Sequence, residues 1–464
     1  MDYDLVVIGT GAAGEAAAYA GAERGGKVAV VENSLVGGLC SFWACLPTKT
    51  LLDSARRRWE GAEYPFERAS ARRDWMINRE GIDWPDDSGH VHGLEGAGIE
   101  IMRGTARITG KGRLEVSPTG GGATRSMETR SVVIAAGSTP FIPPIDGLPD
   151  VGYWTSNDAS SARELPSSMV VLGGGPVGVE LAQVYTRFGV KVTLVEGSRL
   201  LAREHPKTAE IVSAQLEREG IDVRVGGHAV KVERGGAGRI VSLDDGSTVE
   251  GAELLVSVGR RAADLRAMGA PEAGGRLTDR GTADHDEHLS IGDGLFVAGD
   301  AAGGLQFTHV ADYEGRIAAA GAFGEDAHAD LTWVPKTTFT EPETGAVGWT
   351  VEEAQQHGID AFEVSQDFAT SARGYSIEPP WPSPDGSAIR EGSPGHVTAV
   401  VDRERKVLVG AFAACPGASE LIHEGVIAIK AAVPLSVLAD AIHAFPTAAR
   451  VFGNLMLEAD HQLR

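Results

Sequence analysis

The chain has 464 residues, with 64 Asp and Glu against 42 Lys and Arg, a formal net charge of −22, 61 Gly and only three Cys. At ~100 to 200 residues per domain, this length predicts roughly three domains, each able to bury a core. Three cysteines exclude a disulfide-built scaffold, and the acidic balance argues against nucleic acid or an anionic membrane as partners.

Met1 to Ile8 runs into an apolar strand without a basic leader, and no span of ~18 uncharged apolar residues could cross a bilayer, so the expected location is cytoplasmic. Asp4 to Ile8 reads as a buried parallel strand, followed by Gly9-Thr10-Gly11-Ala12-Ala13-Gly14 and an Ala-rich helix through Arg24. A second apolar strand, Lys27 to Val31, ends in Glu32. In this context the glycines fit a dinucleotide: Gly9 for the tight turn, Gly11 for close approach to a pyrophosphate and Gly14 for helix packing. The helix N-terminus offers free N–H groups to phosphate, and Glu32 can accept from a ribose hydroxyl.

The next segment, Gly37-Gly38-Leu39-Cys40-Ser41-Phe42-Trp43-Ala44-Cys45-Leu46-Pro47-Thr48-Lys49, places two cysteines five residues apart. In a regular helix that spacing exceeds the ~6.8 Å Cα limit for a disulfide, so a bond requires a distorted first turn. A cytosolic pair at short spacing is more often catalytic or metal-binding than structural. No second cysteine pair or histidine cluster in the sequence completes a zinc site around them. Trp59, Trp75 and Trp84, in the helical stretch that follows, read as packing residues.

The βαβ pattern recurs at Met169 to Leu172, Gly173-Gly174-Gly175-Pro176-Val177-Gly178, a helix, and Lys191 to Val195 ending in Glu196. Glu196 favours the free 2′-hydroxyl of NAD(H), whereas Arg199 and Arg203 leave NADP(H) open.

These motifs, in this order, resemble the class I pyridine nucleotide-disulfide oxidoreductases, the group of dihydrolipoamide dehydrogenase, glutathione reductase and mercuric reductase. The resemblance also rests on Ala135-Ala136-Gly137, Glu180, Val256 to Arg260 with Gly259, and Gly294 to Asp300. It continues through His309-Val310-Ala311, Glu314-Gly315, Phe339 to Gly348 and Gly417 to Leu421, and so covers nearly the whole chain. It implies an α/β fold of two Rossmann-like dinucleotide-binding domains plus a C-terminal α+β dimerisation domain. The expected boundaries are 1–150 and 273–330 for the two parts of the FAD domain, 151–272 for the NAD(P) domain and 331–464 for the interface domain of a homodimer.

By the same resemblance, Gly38, Gly137, Gly259, Asp300 and His309 join the cofactor sites, with Asp300 on the ribityl chain of FAD. Lys49 and Glu180 would form an ion pair beside the flavin. Cys45 would be the thiolate facing the flavin and Cys40 the thiol that meets substrate, and a helix N-terminus at Cys45 would favour its thiolate. The implied path runs from NAD(P)H through FAD to a Cys40–Cys45 disulfide and on to an acceptor.

The family closes its active site with His-Pro-Thr and a Glu five residues beyond the His, donated by the other subunit. Here the segment is Ala444-Phe445-Pro446-Thr447-Ala448-Ala449-Arg450, so Phe445 replaces the His and Arg450 the Glu. A general acid/base worth ~10² to 10⁴ in rate is absent from its position. Three accounts compete: an acceptor needing no proton shuttle, such as a quinone, a dye-like acceptor, a metal ion or oxygen; cleavage of a thioether C–S bond with carboxylation, as in 2-ketopropyl coenzyme M oxidoreductase/carboxylase; or His443 as a substitute base, against its reading as a structural imidazole. A protein of another class, a flavoprotein redox sensor without turnover, is opposed by the intact Cys pair, Lys49 and Glu180. Phe42 and Trp43 either narrow the approach to Cys40 or pack, Cys415 reads as a lone buried thiol, and Ser376 to Gly395, with five prolines, reads as an inserted surface loop or lid.

Overall fold

A computed structural model describes residues 1–236, 238–379 and 391–464. The chain divides into two units, one of Met1–Pro47, Ala71–Phe141 and Gly259–Leu331, the other of Thr48–Ser70, Ile142–Val258 and Thr332–Arg464.

In the first unit, the apolar run Tyr3–Ile8 forms the centre of a parallel sheet, pairing with Val28–Glu32 on one side and Arg125–Ile134 on the other. Glu100–Gly110 continues the sheet beyond Val28–Glu32, and Leu295–Val297 lies beyond Arg125–Ile134. Parallel strands covered on both faces need apolar side chains in both directions, and Leu5, Val6 and Val7 are fully buried. The helices Ala12–Glu23 and Thr308–Ala322 cover one face, where Ala17, Ala18, Ala318 and Ala319 pack against Leu5 and Val7. Arg113–Pro118 adds an antiparallel excursion between Glu100–Gly110 and Arg125–Ile134.

The second unit holds a parallel sheet in the order Glu253–Val256, Ser168–Leu172, Lys191–Glu196, Asp222–Val225. Its helix Pro176–Arg187 is buried along most of its length. Arg187 at the end of that helix is held between Glu219 Oε1 and Glu341 Oε2, each at 2.7 Å. A separate five-stranded antiparallel sheet, Lys336–Thr338, Thr344–Gly348, Val407–Ala414, His396–Asp402 and Ala361–Asp367, carries the helices Ala418–Lys430 and Ala448–Gln462 over a common apolar core. No helix among the described residues is long and apolar enough to cross a membrane.

The tryptophan expectation holds only in part. Trp59 packs under the Arg187 guanidinium at 5.6 Å. Trp75 and Trp84 are more than half exposed: Arg72 lies 4.1 Å over the Trp75 ring, and Trp84 tilts against Trp43 at 4.9 Å. Trp75 follows the buried pair Arg73 and Asp74 on the helix Phe66–Met76, and that pair takes the inward positions. Phe42 is buried with Leu35 and Ile77, as the packing reading required. Cys415 is fully buried, and burial with the nearby Glu343 pushes its thiol up to about 12. The stretch from Ser376 to Gly395 falls partly outside the described residues.

Candidate active site

The first glycine turn, Gly9 to Gly14, is built by absence of side chains. Gly9 has φ +96°, and a Cβ there would meet Ala135 O at 2.4 Å; a Cβ on Gly14 would meet Gly9 O at 2.0 Å. Gly38, at φ +69°, lies so close to Gly11 that its Cβ would sit 2.6 Å from Gly11 Cα. A Cβ on Gly11 would instead stand in open space, at the N-terminus of Ala12–Glu23, where the free N–H groups collect. Glu32 is buried at the end of its strand; its Oε2 accepts from Thr10 N at 2.9 Å and Thr10 Oγ1 at 2.7 Å, and its Oε1 from Ser34 N at 2.8 Å.

The second turn repeats the plan in the other unit. Gly173 has φ +105°, a Cβ on Gly178 would meet Gly173 O at 1.9 Å, and Gly175 again faces open space. Glu196 Oε2 accepts from Gly174 N at 2.7 Å, and Oε1 from Ser198 N at 2.9 Å. Arg199 donates to the carbonyls of Ala202 and Glu204, at 3.0 and 2.7 Å.

Asp300 enters the first site from the turn Gly299–Ala302, just beyond the strand Leu295–Val297. Ser138 donates to its Oδ2, and Arg260 holds Ser138 by donating from Nε to Oγ at 2.7 Å. Desolvation lowers the affinity of Arg260 for its proton, and the charges of Asp300 and Cys45 oppose that shift. Gly137 and Gly259 take positive φ, +71° and +122°, with open space where a side chain would go. Next to the site, Glu314 is buried and accepts from Gly299 N at 2.7 Å; burial pushes its carboxyl up to about 7. These features fit a dinucleotide: two open cradles at Gly11 and Gly175, each backed by a helix N-terminus and an acid at the next strand end.

Between the two cysteines, both free thiols in the structure, the helix is interrupted as a bond between them would require. The short helix Gly38–Phe42 ends before Trp43, and a new helix, Cys45–Trp59, starts at Cys45 itself. Thr308, at the start of Thr308–Ala322, donates from Oγ1 to Cys40 Sγ at 3.1 Å and lies 3.4 Å from Cys45 Sγ. The Cys40 thiol is held well above its ordinary value, first by its hydrogen bond with Cys45 and then by burial. Thr308 was not among the residues singled out from sequence; its only local signal is that it precedes His309. His309 stacks on Phe307 at 5.2 Å and lines a groove with Ala12, Glu15 and Thr308.

Lys49 and Glu180 meet within the second unit: Lys49 Nζ donates to Glu180 Oε2 at 2.7 Å, and Phe339 N donates to Oε1 at 2.9 Å. Glu180 is 3% exposed, and Lys49 Nζ lies 4.9 Å from the Phe339 ring centre. Phe445 is 74% exposed and lines a pocket of about 260 Å³ with Arg450, Arg373, Gln366 and Thr370. His443 stands outside the lining of that pocket. Its Nε2 is 2.8 Å from Glu424 Oε1 and its Nδ1 is 3.1 Å from Ala441 O.

The pyridine nucleotide-disulphide oxidoreductase family matches residues 3–315, and its dimerisation domain matches residues 334–456. The chain is 35% identical to a dihydrolipoyl dehydrogenase of Thermus scotoductus over 96% of this chain and 95% of that one. It is 32% identical to a mercuric reductase of Streptomyces lividans over 96% and 94%. Among solved structures, the Cu(II) complex of the HOCl-induced flavoprotein disulfide reductase RclA from Escherichia coli matches with a TM-score of 0.85 at 27% identity, covering 99% of each chain. LpdA of Mycobacterium tuberculosis matches with a TM-score of 0.83 at 26% identity, over 98% of this chain and 99% of that one. The chain belongs to the pyridine nucleotide-disulphide oxidoreductase family. It is an FAD-dependent oxidoreductase that uses NAD(P)H, and it carries the family's dimerisation domain.

Proposed function

We propose that the protein is an NAD(P)H-dependent reductase that delivers electrons through Cys40 and Cys45 to an acceptor that needs no histidine acid: a quinone, a dye-like acceptor, a metal ion or oxygen. The observation that carries this reading is the exposed Phe445 in place of the family's histidine, with the neighbouring His443 engaged by Glu424. The names of two relatives, a mercuric reductase and a Cu(II) complex of a disulfide reductase, keep a metal ion among the acceptors.

In this reading Gly9, Gly11, Gly14, Glu32, Gly38, Gly137, Gly259, Asp300 and His309 hold FAD, and Gly173, Gly175, Gly178 and Glu196 hold the nicotinamide dinucleotide. Bound FAD supplies the two-electron chemistry between the nicotinamide and the cysteine pair. The engagement of Arg199 by backbone carbonyls supports NADH over NADPH. Cys45 begins a helix, where the dipole favours its thiolate, while Cys40 retains the proton and Thr308 bridges the two sulfurs. Lys49 and Glu180 fix a charge one helical turn beyond Cys45. The domain limits 1–150, 151–272, 273–330 and 331–464, a homodimer formed through the last of these, and a cytoplasmic location belong to the same proposal.

The test is steady-state NADH and NADPH oxidation with quinone, dye, metal ion, lipoamide and glutathione disulfide, for the wild type and Phe445→His. The wild type should turn over the first three and serve the disulfides poorly, and the variant should gain disulfide turnover toward the ~10² to 10⁴ that a general acid supplies. Wild-type lipoamide turnover matching that with quinone would refute the reading.

Cleavage of a thioether with carboxylation is a second reading, favoured by one observation. Phe445 shares its pocket with Arg450 and Arg373, a setting that offers cations to an enolate or carboxylate while withholding an acid at that position. Bicarbonate-dependent product from a ketone thioether would support it.

A further inference from the structure

Away from the cysteine pair, the first unit brings together Glu287 and His288 from one loop and His328 from the segment that follows the helix Thr308–Ala322. One donor atom from each lies within 4.8 Å of the others. One pair of atoms stands at ligand–ligand distance, a second contact holds the opposite nitrogen of His328, and the two rings lie side by side. His328 Nδ1 is 3.3 Å from Glu287 Oε1, His328 Nε2 is 3.2 Å from Asp326 Oδ1, and the two imidazole rings have centres 4.3 Å apart. Zinc bonds of ~2.0 to 2.2 Å to nitrogen and oxygen, arranged tetrahedrally, separate neighbouring ligand atoms by roughly 3.3 Å.

The backbone beneath these side chains is already fixed. Ala329 N donates to Glu287 O at 2.8 Å, tying the two segments directly. Tyr313 spans the second one, donating from its hydroxyl to His328 O at 3.3 Å and accepting from Asp330 N at 3.0 Å. His288 Nδ1 is 2.9 Å from Ala327 O, which makes Nδ1 the protonated nitrogen and leaves the Nε2 lone pair for a ligand. A backbone carbonyl holding the second ring nitrogen is how metal-binding histidines are oriented. Two imidazoles with carboxylate suit a borderline divalent ion such as Zn²⁺ better than Mg²⁺ or Ca²⁺, which prefer all-oxygen shells.

We infer that Glu287, His288 and His328, with Asp326 beside them, form a binding site for a divalent transition-metal ion that clips the 326–330 segment to the 285–289 loop. The site lies outside the residues assigned to electron transfer, so it stands independently of the acceptor.

The experiment is equilibrium dialysis of the FAD-loaded full chain against Zn²⁺, with Cys40 and Cys45 oxidised so that thiols do not compete. The wild type should take up one more Zn²⁺ per chain than the His288→Ala/His328→Ala variant. A control, His285→Ala, alters a neighbouring imidazole whose Nδ1 contacts Asp286 O, and should bind as the wild type does. NADH oxidation by all three should be unchanged, which also reports folding. Equal uptake by wild type and double variant, or equal loss in the control, overturns the site. Should the double variant not fold, Cu²⁺ bound to the oxidised wild type decides: an electron paramagnetic resonance spectrum showing two imidazole nitrogens supports the site, and one without nitrogen coupling refutes it.

Discussion

Replacing Lys49 by Met tests the ion pair at the head of the second unit. Glu180 is 3% exposed and, among the described residues, accepts two hydrogen bonds, from Lys49 Nζ at 2.7 Å and Phe339 N at 2.9 Å. Without the ammonium the carboxylate keeps one donor in a buried setting. Removing one partner of a buried pair costs ~3 to 5 kcal/mol. Lys49 itself is 34% exposed, so water already screens part of the attraction, and the expected cost falls to about 2 to 3 kcal/mol. Glu180→Gln should cost less, about 1 kcal/mol, because the amide oxygen still accepts from Phe339 and the half-exposed ammonium regains water. The double variant should be no worse than Lys49→Met alone. The assay is urea unfolding of the FAD-saturated enzyme, with all four proteins compared at pH 8. A coupling energy near zero, or Glu180→Gln as costly as Lys49→Met, would refute the reasoning.

Gly11→Ala and Gly14→Ala separate cofactor binding from folding: the first places its Cβ in open space and should fold while losing FAD affinity, measured by flavin retention on dialysis. The second drives a Cβ to 2.0 Å from Gly9 O and should lower stability as well, by circular dichroism. Glu204 is buried, its Oε2 has no hydrogen-bond partner among the described residues, and desolvation pushes its carboxyl from 4.5 up to about 7 against the charges of Lys336 and Arg199. The folded state therefore binds a proton that the unfolded state has released between pH 4.5 and about 7, and stability falls as pH rises through that window. Glu204→Gln should gain up to about 3 kcal/mol over the wild type at pH 8 and nothing at pH 4, by thermal unfolding; an equal effect at both pH values would refute the assignment.

What could be read from the sequence was what the backbone demands locally. Gly9 and Gly173 were legible because the turn after each strand takes φ of +96° and +105°, and Gly14 and Gly178 because a Cβ there would strike the carbonyl five residues earlier. The break between Cys40 and Cys45 is the distortion that a bond at this spacing would require, an expectation that rested on the resemblance as well as on the spacing. Contacts between distant segments left no such trace. Thr308 reaches the cysteines across more than 260 residues, Ser138 meets Asp300 across 162, and His443, in the loop before Ala448–Gln462, finds Glu424 on the helix Ala418–Lys430. The exposure of Trp75 and Trp84 was missed because apolar character suggested packing, while the charged Arg73 and Asp74 occupy the interior positions.

Anaerobic titration of the oxidised enzyme with NADH, followed by visible absorption, addresses the central claim most directly. If electrons settle on the cysteine pair, two electrons per chain should leave the flavin oxidised and produce a long-wavelength band from the Cys45 thiolate beside it, absent in Cys45→Ser. Bleaching of the flavin from the first addition, without that band, would contradict the assignment of Cys40 and Cys45 as the redox centre.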